Sequence, residues 1–309
     1  MKKISVVIPA HNEEGNISLI HQRIKEVFAK LEDYHFEIIF VNDGSRDSTQ
    51  QILEKLAREN EEIKFIEFSR NFGHQPAVKA GIDSSSANAV ISMDADLQHP
   101  PELIPKMIEQ WEKGFDIVFT IRTYPKHIST FKRKTSELFY HLLSGISDVN
   151  LVKGGGSDFR LMDASVVDVI RNMNEADIFL RGLSTWIGFK QTGVEFTAGD
   201  RASGESSYNL KKMMRFAFTG ITAFSVKPLY LAAYLGFIFS AFAVLVYGIY
   251  VVHSFIAHTE ISGWASLIMT VVFFGGVQLI ILGIIGIYLG KMFKQVKDRP
   301  NYIIRSNNF

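Results

Sequence analysis

The chain has no cysteine among its 309 residues, which excludes disulfides, thiolate metal sites and cysteine nucleophiles and fits a reducing compartment. It also lacks a net charge of any size. Its 33 Lys and Arg stand against 32 Asp and Glu, so nothing implies nucleic acid or another polyelectrolyte as partner. No Gly-x-Gly-x-x-Gly follows the first apolar run, which argues against a nicotinamide oxidoreductase. The opening run after Lys2 and Lys3 is short and broken by Pro9, so no secretory signal is expected and the N-terminal part is expected to stay on the cytoplasmic side. Two stretches have no charged side chain at all, residues 228–252 and 264–290, and Gln278 is the only amide in the second.

As helices those stretches would reach roughly 37 and 40 Å, against about 30 Å for the hydrocarbon core of a bilayer. Two membrane spans are therefore expected. Lys211, Lys212, Arg215 and Lys227 precede the first, and Lys291, Lys294, Lys297 and Arg299 follow the second. The connecting residues 253–263 contain no Lys or Arg, so the positive-inside rule puts both termini in the cytoplasm. Polar or ionisable residues that would line a transport pathway are missing from the spans apart from Gln278, which argues against a transporter subunit. Within residues 207–227, cations interleave with Met213, Met214, Phe216 and Phe218, the pattern of a basic amphipathic helix in the membrane interface. Gly286 and Gly290 have the spacing of a helix–helix contact, a weak pointer to a homo-oligomer.

The first 120 residues alternate between strand and helix patterns. Apolar runs at 4–9, 37–42, 65–69, 89–93 and 117–120 predict five strands. Between them, Ile17, Ile20, Ile24, Val27 and Leu31 step by three and four as in an amphipathic helix. Asp47 is expected to cap a second helix, with Gln50 at the capping-box position, and a third helix starts near Gln75. This order predicts an α/β fold with a mostly parallel sheet covered by helices, whose ligands bind at the carboxyl ends of the strands. Pro9, Asn42-Asp43, Ser69-Arg70 and Asp94-Ala95-Asp96 all fall at those ends. Asp94 and Asp96, two apart on an extended segment, would point the same way and hold Mg²⁺ or Mn²⁺ with positions left for diphosphate oxygens.

Four segments in this order resemble family-2 glycosyltransferases: Ser5-Val6-Val7-Ile8-Pro9-Ala10-His11-Asn12-Glu13-Glu14, Val41-Asn42-Asp43-Gly44-Ser45, Asp94-Ala95-Asp96-Leu97-Gln98-His99-Pro100 and Phe159-Arg160-Leu161. With two C-terminal spans, the chain looks most like the polyprenyl-phosphate sugar transferases, in particular their bacterial undecaprenyl-phosphate glucosyltransferase branch. The resemblance implies a GT-A type nucleotide-sugar-binding domain over residues 1–206, an interfacial amphipathic helix over 207–227, a two-helix transmembrane hairpin over 228–290 and a cytoplasmic tail over 291–309. It implies nucleoside contacts from Pro9, Ala10, Asn12, Glu14 and Asp43, flanked by Arg70, Asn71 and Gly73. Asp94, Asp96 and Gln98 would hold the metal, with Asp94 also facing the nucleotide. His74 stands where some relatives carry Lys. Asp158 would face the transferred sugar with Arg160 behind it. Arg122, Arg133, Ser136 and Arg201 would grip the lipid phosphate, with Arg122 and Arg201 also close to the chemistry.

The implied reaction is inverting transfer of glucose from UDP-glucose to undecaprenyl phosphate at the inner face of the cell membrane, for cell-surface glycans. Downstream partners would be a flippase and a further glycosyltransferase. A dolichyl-phosphate mannose synthase using GDP-mannose and a non-catalytic nucleotide-sugar-binding scaffold are the alternatives. A processive polysaccharide synthase is disfavoured, because its Gln-x-x-Arg-Trp motif is missing and Arg181 and Trp186 have the wrong spacing.

Overall fold

A computed structural model of the chain describes residues 1–123, 157–197, 225–257 and 263–309. Eight strands form one sheet: β1 (Lys2–Ala10), β2 (Tyr34–Asn42), β3 (Ile63–Phe68), β4 (Ala89–Ser92), β5 (Ile117–Thr123), β6 (Arg160–Asp163), β7 (Gln191–Thr197) and β8 (Ile304–Asn307). Their order is β7-β5-β6-β4-β1-β2-β3-β8. The four strands β4-β1-β2-β3 are parallel and joined by α1 (Ile17–Phe28), α2 (Thr49–Glu59) and α3 (His74–Ser84). After β4 come a 3₁₀ turn, Pro101–Leu103, and α4 (Ile104–Glu112). The central strands are buried on both faces, which is why they read as continuous apolar runs.

Side chains alternate across the pleat. Ile4, Val6 and Ile8 join the core beneath α1, α2 and α4, while Val7, Ile39 and Val41 join the opposite core with α3. That second core also takes α5 (Ala164–Arg171) and α6 (Leu180–Trp186). Gly81 of α3 lies so close to Val7 that an added Cβ would fall 2.2 Å from its side chain, bringing helix and strand together at the middle of the sheet.

Several local expectations are corrected. Helix α1 ends at Phe28, so Leu31 packs on the core from beyond it. Ser48 is the N-cap residue of α2 and makes no side-chain cap bond. Asp47 accepts instead from the Thr49 amide and hydroxyl, and Gln50 bridges Asn42 and Glu54, so no capping box forms. Strand β4 stops at Ser92, and Leu97 takes a left-handed φ of 61°. Asp94 therefore lies past the end of the strand and Asp96 in the turn after it, rather than together on an extended segment.

Strand β6 is antiparallel to both β4 and β5, and β8 antiparallel to β3. The first of these pairings matters most for the site. Ser92 lies opposite Arg160, so Asp94, two residues beyond Ser92, meets Asp158, two residues before Arg160. The Ser92 hydroxyl donates to the Asp158 carbonyl at 2.6 Å.

Two long helices, α7 (Lys227–Ala257) and α8 (Trp264–Val296), are long and apolar enough to cross a membrane, and none of their most apolar stretch is buried within the protein. They touch each other through Phe239 and Phe273, and Tyr288 donates to the Ser225 carbonyl at 2.7 Å. The chain then returns to the sheet. Tyr302 stacks on Phe68 at 5.2 Å and donates to Asp83, and β8 completes the edge beside β3. The tail expected over 291–309 is thus partly a sheet strand. The end of α8 meets the segment before α6, where Gln295 bonds to Asn174 and Ala176 and Asn174 bonds to Asp298.

Gly44, φ +63°, turns the chain after β2, and a Cβ there would fall 2.5 Å from the Arg70 carbonyl carbon. Gly44→Ala is expected to destabilise the fold by about 1–3 kcal/mol through strain and overpacking. Thermal unfolding of the purified protein measures this, and an unchanged midpoint would refute it.

Candidate functional site

The carboxyl ends of β1, β2, β3 and β4 enclose two adjoining clefts. The acidic one, about 480 Å³, is lined by Glu13, His74, Asp94, Asp96 and Asp158 over a floor of Pro9 and Ala10. The other, about 570 Å³, lies over β2 and β3 beside Asn12, Arg46 and Arg70. His11 and Asn71 line both.

Asp43 is buried, and its carboxylate accepts from the amides of Phe72 and Gly73 at 2.6 and 2.9 Å. Its first role is to fix the loop carrying Arg70, Asn71 and Gly73 against β2. Asn12 adopts a left-handed φ of 59°, and its side-chain oxygen accepts from the Arg46 amide at 2.8 Å. Glu14 caps the Ser48 amide at 2.9 Å and lies outside the lining of both clefts, unlike the other residues expected around the nucleoside.

Asp94 Oδ1 is sealed from solvent and has no hydrogen-bond partner among the described residues. His74 Nε2 lies 3.4 Å away, near enough for charge attraction. Burial pushes the Asp94 carboxyl up; His99 and His74 oppose this and the charges of Asp158 and Asp96 reinforce it. Burial also raises Glu13, with Asp96, Asp47 and Asp94 adding to it against a bond from Asn16. Asp96 accepts from the Gln98 amide at 3.1 Å. Among the described residues no three His, Asp or Glu side chains stand as a finished metal cage. An orphaned oxygen on Asp94, with Asp96 beside it on the same cleft, nonetheless fits a hard cation that keeps further ligands from substrate or water.

Asp158 is gripped by Arg181, whose Nε and Nη2 donate to its two oxygens at 2.8 Å each. Burial alone would raise this carboxyl. Hydrogen bonds from His74 and Arg181 and the charges of Arg181 and Arg160 outweigh it and hold it well below the usual range. His74 is conversely raised: burial pulls it down, but Asp158 and Asp94 more than compensate. Arg160 lies fully inside, donating to the carbonyls of Leu180 and Ser157, and burial pulls its pKa down to about 10.

His99 joins the two acidic loops. The Asp94 amide donates to its Nδ1 at 3.0 Å, so in the neutral ring Nε2 carries the proton and donates to the Ser157 hydroxyl at 2.7 Å.

Sequence reasoning did not assign roles to Glu13, His99 or Arg181. Glu13 and His99 stood inside quoted motifs, while Arg181 was set aside on spacing and had no local signal. Gln98 does not line the acidic cleft. Arg122 lies on β5 with its side chain outside the described set, and Arg133, Ser136, Arg201, the glycine loop at 154–156 and most of the expected amphipathic helix over 207–227 lie outside the described residues.

Because the Asp158 carboxyl is depressed, its pairing stabilises the protein above its unfolded pKa of about 4 and loses that contribution as pH falls through the lowered value. Arg181→Ala is therefore expected to melt lower than wild type at pH 7, and the gap should persist through the ordinary carboxylate range and close only as pH is taken well below it, toward the lowered value. A gap independent of pH would sink the assignment.

A model of the family described as Glycosyl transferase family 2 matches residues 5–171. The chain is 44% identical over 303 residues to the glycosyltransferase YkcC of Bacillus subtilis (strain 168), spanning 98% of this chain and 93% of that one. It is 39% identical over 307 residues to the SfII prophage-derived bactoprenol glucosyl transferase of Shigella flexneri, spanning 99% and 98%. To the prophage bactoprenol glucosyl transferase homolog of Escherichia coli (strain K12) it is 38% identical over 304 residues, 98% of each. The family match over more than half the chain and these near-full-length identities establish that the chain belongs to glycosyl transferase family 2.

Proposed function

We propose that this enzyme transfers glucose, with inversion, from UDP-glucose to undecaprenyl phosphate at the cytoplasmic face of the cell membrane. The observation that carries the reading is near-full-length similarity to bactoprenol glucosyl transferases, apolar helices included. Return of the chain from α8 to the sheet supports a hairpin with both ends on one side, and the cations flanking the spans favour the cytoplasmic side for those ends. On this reading residues 1–206 are catalytic, 207–227 lie in the interface and 228–290 span the bilayer. The lipid-linked sugar would pass to a flippase and a further glycosyltransferase.

The acceptor is a phosphate monoester with a second pKa of about 6, largely ionised at neutral pH. It needs no general base. One of its oxygens attacks the anomeric carbon opposite the leaving group. The new carbon–oxygen bond forms as the bond to the diphosphate breaks, and nucleoside diphosphate departs with the electron pair. Asp158 suits this chemistry, since a carboxylate held strongly ionised is a poor proton acceptor but a good partner for a sugar hydroxyl or a developing positive carbon. Arg181 keeps it in place. Asp94 and Asp96 would hold Mg²⁺ or Mn²⁺, with Gln98 adjoining, and the bound cation would supply charge compensation for the departing diphosphate. Arg122, Arg133, Ser136 and Arg201 would bind the acceptor phosphate, arginine by its two-pronged geometry.

Purified protein incubated with Mg²⁺, short polyprenyl phosphate and a panel of radiolabelled nucleotide sugars should move label into the organic phase from UDP-glucose above all others. No transfer from any donor would overturn the reading. Asp96→Ala should lower kcat at least about 100-fold with folding intact. Independently of turnover, Mn²⁺ at 100 times its Kd should stabilise the wild type by about 2.7 kcal/mol, and Asp94→Asn should remove that gain. Equal stabilisation of both proteins would refute the metal assignment.

A further inference from the structure

The cleft over β2 and β3 has an unexpected wall. Arg305, on the strand that follows the second apolar helix, lines it together with Arg46 and Arg70. Against these three arginines the lining holds one carboxylate, Glu67, which is already engaged by the Ser306 hydroxyl at 2.8 Å and by Arg305 at 3.3 Å. The ion pair leaves 63% of the Arg305 side chain open. The strand carrying it is firmly seated. Ser69 donates to the Ile303 carbonyl, Asn308 bonds to both Ile63 and Phe65, and Tyr302 is pinned between Phe68 and Asp83. The cleft has the volume of a small-molecule site and runs into the acidic cleft through His11 and Asn71.

We propose that Arg305 is a donor-binding residue that contacts the nucleoside, so that the chain returning from the membrane completes the pocket that recognises the donor. The inference rests on the nucleotide-sugar reading above. If the diphosphate lies at the acidic cleft with its cation, the nucleoside extends over β2 and β3. There a planar guanidinium offers a face for stacking a base and N–H donors for its carbonyl oxygens. The family match ends at residue 171, far upstream of this strand.

The test uses the full-length enzyme. Arg305→Ala should raise the KM for the nucleotide sugar about tenfold, the scale of one lost hydrogen bond to a charged group. It should leave kcat at saturating donor within twofold and the KM for polyprenyl phosphate unchanged. Inhibition by free nucleoside diphosphate should weaken by the same factor, while inhibition by inorganic pyrophosphate should not. An unchanged donor KM, or equal weakening toward pyrophosphate, would overturn the proposal. If Arg305→Ala melts early, Arg305→Lys keeps the strand and the charge but loses the planar face, and a wild-type KM in that variant would overturn it equally. Calorimetry of nucleoside diphosphate with wild type and variant separates the two readings. If wild type transfers no sugar, the function fails, while tighter binding to wild type than to Arg305→Ala still supports this contact and equal binding defeats it.

Discussion

Crowding of negative charge at one rim of the sheet governs the rest of the site. Glu13, Asp94, Asp96 and Asp158 share one cleft, and burial makes charge costly on Glu13, Asp94 and Asp158. The protein balances only part of this. Arg181 and His74 serve Asp158, and His99 orients the Asp94 loop through its backbone, but one oxygen of Asp94 is left without a partner among the described residues. Such an arrangement is poorly satisfied by protein alone, which is what the proposed cation would relieve.

The same crowding divides labour between two similar carboxylates. Asp158, gripped by a guanidinium, stays ionised, whereas Asp94 is pushed up by burial and made receptive to an external positive charge. Environment rather than residue type therefore separates the carboxyl proposed to face the sugar from the one proposed to receive a metal.

The long helices are tied into the α/β sheet domain at their far end. The end of α8 is bonded to residues 174–176, and that segment leads directly into α6, which supplies Arg181. The strand after it closes the sheet edge and adds a cation to the second cleft. The long helices and the candidate site are consequently parts of one hydrogen-bonded framework.

Much of this was legible in the sequence, because local chemistry writes local structure. Apolar runs gave the central strands, helical spacing placed Ile17, Ile20 and Ile24 inside, and polar clusters after each strand marked the rim. Uncharged stretches beyond 20 residues marked the two long helices. Tertiary structure alone decided who meets whom. The antiparallel register of β6 set Asp158 against Asp94, Arg181 found its partner 23 residues away, and the tail returned to lie beside β3, with Asn308 bonded 243 residues back at Phe65. Periodicity encodes which face of an element is buried. It carries no information about the strand neighbour or the distant side chain that packing delivers there, since those follow from sheet order and register.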